Sequence, residues 1–366
     1  MNESRADARS LNPEAPPPNR TLGRAQPTVL AGAHLTRARM ALALGALGAV
    51  ALAVALVSAA FGSVHISVVT AFIDRASPDH AILFGARLPR VVMGAAVGAV
   101  LAVVGAALQA LVRNPLAEGG IIGISGGGAF GAIVALVTFE RSAAGPIAIP
   151  LCAFGAALVS TLVVYRLAMV NGRVEPFTLL LVGAVLNAFW GAAIMMVNSV
   201  VNFYYVHDIV FWLMGSLEAP TWAEVVTIAV LGVGGCIILM ACARDMNVLA
   251  MGDEAAAELG VDVGRLRRVI FFATSIMIGA AVSVSGIISF VGLIVPHVLR
   301  LALGADHRLL LPASILGGAA FMMIADLGAR VIIAPSELPV GAITALCGGP
   351  FFIYMLRREG RRSLVG

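Results

Sequence analysis

Residues 91–112 read VVMGAAVGAVLAVVGAALQALV, a stretch without a charge and with a single amide, Gln109. A helix rises about 1.5 Å per residue, so a hydrocarbon core of about 30 Å takes roughly 20 apolar residues to cross. This run has that length. Comparable runs lie at 41–61, 121–139, 146–165, 176–197, 225–243, 269–288, 309–327 and 338–356. Residues 289–303, SFVGLIVPHVLRLAL, are shorter and interrupted by Pro296, and read as a broken or tilted span. Counting that segment gives ten spans; omitting it gives nine. None of the runs alternates as the strands of a membrane barrel do. The expected fold is an all-α integral membrane protein with about ten transmembrane helices.

Composition leads to the same place. Of 366 residues, 60% are hydrophobic and 12% charged, with a mean hydropathy of +0.97. A soluble domain carries about 25% charged residues, and a disordered chain needs low hydrophobicity, so both classes are excluded. Every one of the 24 basic residues is arginine. Without lysine the chain has no Walker A loop, no Schiff-base chemistry and no Ser–Lys pair. HExxH is absent as well, and Gly123-Ile-Ser-Gly-Gly127, which has GxSxG spacing, lies inside an apolar run and reads as helix packing, so no catalytic residue is expected. Cys152, Cys236, Cys242 and Cys347 sit in apolar runs without metal-ligand spacing and read as small buried hydrophobes; no metal site is expected.

The net charge of +4 reflects topology rather than a nucleic-acid partner. Cytoplasmic loops are enriched in arginine. With ten spans and an internal N-terminus, most arginines fall inside, and only Arg75, Arg87, Arg90, Arg141 and Arg330 fall outside. Both termini are therefore expected in the cytoplasm. Residues 1–39, rich in proline and mixed charge, read as a disordered cytoplasmic tail. Residues 40–358 form the membrane domain, and 359–366 a second cytoplasmic tail. Gly94 and Gly98, then Gly123, Gly127 and Gly131, recur at four-residue spacing, which lines one helix face and lets backbones approach closely.

The loop 244–268, RDMNVLAMGDEAAAELGVDVGRLRR, is too polar to span and too patterned to be a linker. Asp253 is placed to cap a short helix with Glu254 in its first turn, Ala255, Ala256 and Ala257 favour that helix, and Gly260 can end it. Small alanines suit a knob gripped by a partner's groove; the plainer alternative is a surface amphipathic helix. Asp326 lies four residues before Arg330, and an i,i+4 ion pair offsets part of its cost inside a membrane. A proton-relay carboxylate is the alternative for that position. His297, beside Pro296, reads as a hydrogen-bonding residue at a helix kink rather than a ligand.

The spacing Glu254-Ala255-Ala256-x-x-x-Gly260 resembles the EAA loop of ATP-binding-cassette (ABC) import permeases. Further matches are Arg87-Leu-Pro-Arg90, Arg113-Asn-Pro-Leu-Ala117, Gly123-Ile-Ser-Gly-Gly127, Phe211-Trp-Leu-Met-Gly-Ser-Leu217, Phe290-Val-Gly-Leu-Ile-Val-Pro-His297, Asp306-His-Arg308 and Glu337-Leu-Pro-Val-Gly341. Over residues 41–358 the sequence is similar to the FecCD family, permeases for iron–siderophore complexes, haem and cobalamin.

That resemblance implies a type II ABC importer permease in a bacterial inner membrane, working as a homodimer. It implies two separate ATPase subunits, holding the ATP and magnesium, and a periplasmic substrate-binding protein; the chain itself would be no enzyme and carry no cofactor. It implies that Asp253, Glu254, Ala255, Ala256 and Gly260 couple to the ATPase. Arg87, Arg90 and Arg330 would dock the binding protein, although the same residues could simply anchor helix ends by snorkelling. Pro176 and Phe177 would mark the inner gate, and Asn187 and Asn198 the translocation path. The competing class is an ion-driven secondary transporter of a small polar solute, which would require Asp326 to titrate.

Overall fold

The computed structural model describes residues 36–139, 142–170 and 172–365, without the side chains of 356 and 358–365. The polar tail expected over 1–39 thus lies almost wholly outside the described residues. Helix α1 (Arg37–Ala60) begins three residues before the expected boundary, because Thr36 caps it by accepting the Arg39 N–H at 3.2 Å. At the other end α15 (Val340–Val365) runs as helix through the segment expected as a second tail.

Among the described residues, seven helices are long and apolar enough to cross a membrane: α1, Pro78–Val112, α6 (Gly145–Leu167), α7 (Pro176–Val200), α9 (Trp222–Ala241), α12 (Val263–Ser285) and α14 (His307–Val331). Three shorter apolar helices complete the set, α5 (Ile124–Phe139), α13 (Val291–Leu303) and the Val340–Met355 part of α15. These ten correspond one to one with the ten apolar runs. The Pro78–Val112 element comprises α3 (Pro78–His80), a π-helical turn (Ala81–Arg87) and α4 (Leu88–Val112). Short helices α2 (Val68–Ile73), α8 (Phe203–Leu213), α10 (Ala243–Leu249) and α11 (Asp253–Glu258) and a two-stranded ribbon (β1 Met169–Val170, β2 Arg173–Val174) lie between the spans.

Helix starts follow local chemistry. Thr221 and Glu224 form a reciprocal capping box on α9. Asp262 caps α12 and Asp306 caps α14, each accepting a backbone N–H from the first turn. Glu175 caps α7, with Pro176 at the first helical position.

The core is built around α4, which packs against α9, α12, α13 and α14 and is buried along most of its length. Of the expected pair Gly94 and Gly98, only Gly98 is a close approach; a Cβ on Gly94 would meet ordinary side-chain contacts. A Cβ on Gly98 would overlap the Gly318 carbonyl of α14, and one on Gly105 would overlap the Gly292 carbonyl of α13. In the same way Gly127 and Gly131 let α5 press onto Ser160 and Cys152 of α6. Helices α1 and α7, by contrast, leave most of their apolar side chains uncovered. The cysteines depart from expectation: Cys152 and Cys347 are exposed, Cys236 and Cys242 half-buried, and all four are free thiols.

Candidate functional site

Three clusters stand out along the bundle. The first is at the arginine-rich end, where α10, α11 and the start of α12 form a knob. Helix α11 buries Ala256 completely, while Met251 and Leu259 are 68% and 63% exposed on either side of it. Gly260 takes φ +84°, a left-handed conformation suited to glycine, and its N–H bonds the Ala257 carbonyl to close the helix. Asp253 does not cap α11; Gly252 occupies that position and Asp253 is the first helical residue. Its carboxylate instead receives Arg267 Nη2 of α12 at 2.8 Å, and Arg113 Nη2, from the end of α4, lies 3.4 Å away. Nearby, Asn247 of α10 donates to Asp306 at 2.8 Å, and its Oδ1 accepts the His307 N–H, also at 2.8 Å. The knob is thus fastened to α4, α12 and α14 together. Bonds from Arg308 pull the Asp306 carboxyl down to about 2, against a smaller opposing effect of burial.

The second cluster lines a cavity of about 720 Å³ between α5, α7, α8 and the segment 287–289. Asn187 and Asn198 both reach it. Asn187 Nδ2 donates to the Gly120 carbonyl at 2.7 Å, so the amide holds the 3-10 turn Gly119–Ile122 against α7. Asn198 Oδ1 is buried without a hydrogen-bond partner among the described residues. A residue that sequence reading passed over, Glu118, also lines this cavity and accepts the Phe290 N–H at 2.8 Å. The available signal was an acid set between the apolar run 91–112 and the next. Pro176 and Phe177 do not join this group. They stand at the arginine-rich end, Phe177 73% exposed, beside a separate cavity of about 510 Å³ that Asp253 and Arg267 also line.

The third cluster occupies the opposite end. Arg87, Arg90 and Arg330 are 6%, 9% and 3% exposed, so they do not present free guanidiniums outward as a docking surface needs. Asp326, 1% exposed, receives Arg90 Nε at 2.9 Å and Arg330 Nε at 3.0 Å. Arg90 also holds Glu337 at 2.6 Å. Arg330 donates further to the carbonyls of Ser58 and Phe61, and Arg87 to those of Ala59, Ala60 and Val64. The expected i,i+4 pair therefore exists, within a larger lattice that gathers α1, α4, α14 and the segment before α15. His297 meets the Phe351 ring edge-on at 6.0 Å. Among the described residues no group of His, Cys, Asp and Glu side chains could hold a metal ion.

An all-α bundle of ten apolar helices, with a fastened polar knob at one end, has the form of a transporter's membrane subunit. The sequence profile of the FecCD transport family matches residues 47–358, and the chain belongs to that family. Among similar proteins are the cobalamin import system permease BtuC of Halobacterium salinarum, 45% identical over 76% of this chain and 74% of the relative. The hemin transport system permease HmuU of Yersinia pestis is 38% identical over 75% of this chain and 82% of its own length. The iron(3+)-hydroxamate import permease FhuB of Bacillus subtilis is 37% identical over 77% and 73%. A solved metal-chelate type ABC transporter in an inward-facing conformation superposes with a TM-score of 0.76 at 29% identity, over 87% of this chain and 99% of that one. The expected type II ABC importer permease fold is thus the one adopted.

Proposed function

We propose that this chain is the membrane permease of an ATP-driven importer for a large metal chelate: a ferric siderophore, haem or cobalamin. ATP is hydrolysed on separate subunits, and the chain itself performs no chemistry. One observation carries the reading. Met251 and Leu259 are exposed on either side of helix α11, which buries Ala256 and has its first residue tied to α4 and α12, the arrangement of a knob that takes up force and passes it to spans. The arginine-rich end is the cytoplasmic face of a bacterial inner membrane, with both termini on it. A second copy, packed on the uncovered face of α7, closes the pathway, and a periplasmic binding protein delivers cargo from the opposite end. Its contact is the rim around the buried arginine lattice rather than those guanidiniums themselves.

The cavity bearing Asn187, Asn198 and Glu118 is read as part of the path. Its lining is mostly apolar with a few polar groups, which suits passage of a bulky chelate without tight binding. An ion-driven carrier built on Asp326 would need that carboxylate unpaired, and Arg90 and Arg330 both hold it. The test is uptake of labelled haem, a ferric hydroxamate and cobalamin by cells lacking the chain, with and without its return. Restoration of one cargo, abolished when ATP is depleted, is the expected result. Uptake that survives ATP depletion and stops with an uncoupler would overturn the proposal.

A further inference from the structure

Arg267 is 4% exposed and stands on α12 where three elements converge. Its Nη2 holds Asp253 on α11. Its Nε is buried and has no hydrogen-bond partner among the described residues, so the guanidinium's donors are not all engaged, an arrangement that costs free energy wherever it is found. The cavity of about 510 Å³ beside it is lined by Asp253 on one side and by Glu175, Pro176 and Leu180 at the start of α7 on another. Glu175 caps α7, taking the Thr178 N–H on Oε2. Its carboxyl is held below the ordinary glutamate range, chiefly by its bonds to Thr178 and further by the field of Arg267. One cation thus acts on two carboxylates, one belonging to the knob and one to the helix that opens the path.

We infer that Arg267 is the joint between the knob and α7, gripping Asp253 in this conformation and exchanging that grip for Glu175 when α11 is displaced toward the cavity. The inference rests on the proposed importer function and adds the positioning residue through which coupling reaches the gate. Arginine is suited to such an exchange because its rigid fork offers several donors at fixed angles and it keeps its charge in either position. Open volume between the carboxylates gives the guanidinium somewhere to swing.

The experiment uses the whole importer in inverted membrane vesicles, in a background lacking the four native cysteines, with Leu180→Cys as reporter at the cavity wall. Labelling by a membrane-impermeant maleimide is compared with and without ATP and vanadate, alongside uptake by whole cells carrying the same variants. Nucleotide should change the labelling rate, and Glu175→Gln, which keeps the capping oxygen but removes its charge, should shrink that change about fivefold or more, the lower range for energetically coupled sites. Asp253→Asn and Arg267→Gln should do the same. Exchanging the first pair, Asp253→Arg with Arg267→Asp, should fail to restore the response, because Asp at 267 would repel Glu175. A purely structural ion pair would be rescued by that exchange and indifferent to Glu175→Gln, and either result overturns the inference. ATP-driven uptake with no change at Leu180 overturns it too and leaves the importer reading standing. Uptake insensitive to ATP removes the importer reading instead.

Discussion

Asp326→Asn removes one negative charge from the centre of the buried lattice and changes almost no volume. The amide leaves one oxygen for two guanidiniums: with it turned to Arg90, Arg330 keeps only the carbonyls of Ser58 and Phe61, while Arg90 retains Glu337 at 2.6 Å. Breaking a buried ion pair from one side costs about 3–5 kcal/mol, because the remaining charge is left uncompensated. The Arg330 half of the lattice, 3% and 2% exposed at its two side chains, fits that class. The Arg90 half loses less, since Glu337 remains. The expected loss is about 3–5 kcal/mol, or roughly 6–20 °C in apparent Tm at the ~2–4 °C per kcal/mol of chains of about 150–250 residues. Thermal unfolding of the purified protein in detergent, followed by size-exclusion chromatography, reads this directly. A variant within about 2 °C of the parent would refute the reasoning. If Arg330→Gln left Tm unchanged yet weakened capture of the binding protein, the lattice would be a docking surface after all.

Other expectations concern packing, backbone and pH. Gly105→Ala drives a methyl into the Gly292 carbonyl and should destabilise by about 1–3 kcal/mol or more by thermal unfolding, whereas Gly155→Ala, with open space around its Cβ, should be neutral or gain about 0.5–1 kcal/mol. Gly260→Ala must hold φ +84° with a side chain, at about 1–2 kcal/mol, and uptake should fall while the amount of protein in the membrane stays constant. For Asp306 the folded carboxyl titrates at about 2, below its ordinary value, so its contribution is fully present above the unfolded pKa near 4 and disappears as pH falls from there toward 2. Melting curves between pH 2 and 5 should therefore show a fall that Asp306→Asn flattens, with no effect of this group between pH 6 and 8.

The membrane fold was legible because length and hydropathy alone set the spans: 146–165 and 176–197 differ from the observed Gly145–Leu167 and Pro176–Val200 by a few residues. Even the broken segment at Pro296 proved a real, short helix. What the sequence concealed was partnership across long separations. Nothing near Asp253 announces Arg113 or Arg267, and the capping expected of Asp253 was local reasoning displaced by a tertiary ion pair. Arg87, Arg90 and Arg330 looked like outward-facing cations because charged residues at span ends ordinarily reach water. Here carbonyls at the end of α1 and in the segment after it, together with the carboxylates of Asp326 and Glu337, draw them inward instead. Helix α8 escaped notice because its aromatic, half-polar run resembles a loop at a membrane interface.

The lattice around Asp326 also constrains how the chain is made. Helix α14 carries an acid and a base that find partners on α1 and α4, Ser58 lying 272 residues upstream of Arg330 and Arg90 lying 236 upstream of Asp326. Released alone into lipid, α14 would bear both charges at a cost that its own i,i+4 pair offsets only in part. The first-made helices must therefore still be within reach when the late one leaves the translocon, so that insertion ends by closing a ring begun near the N-terminus.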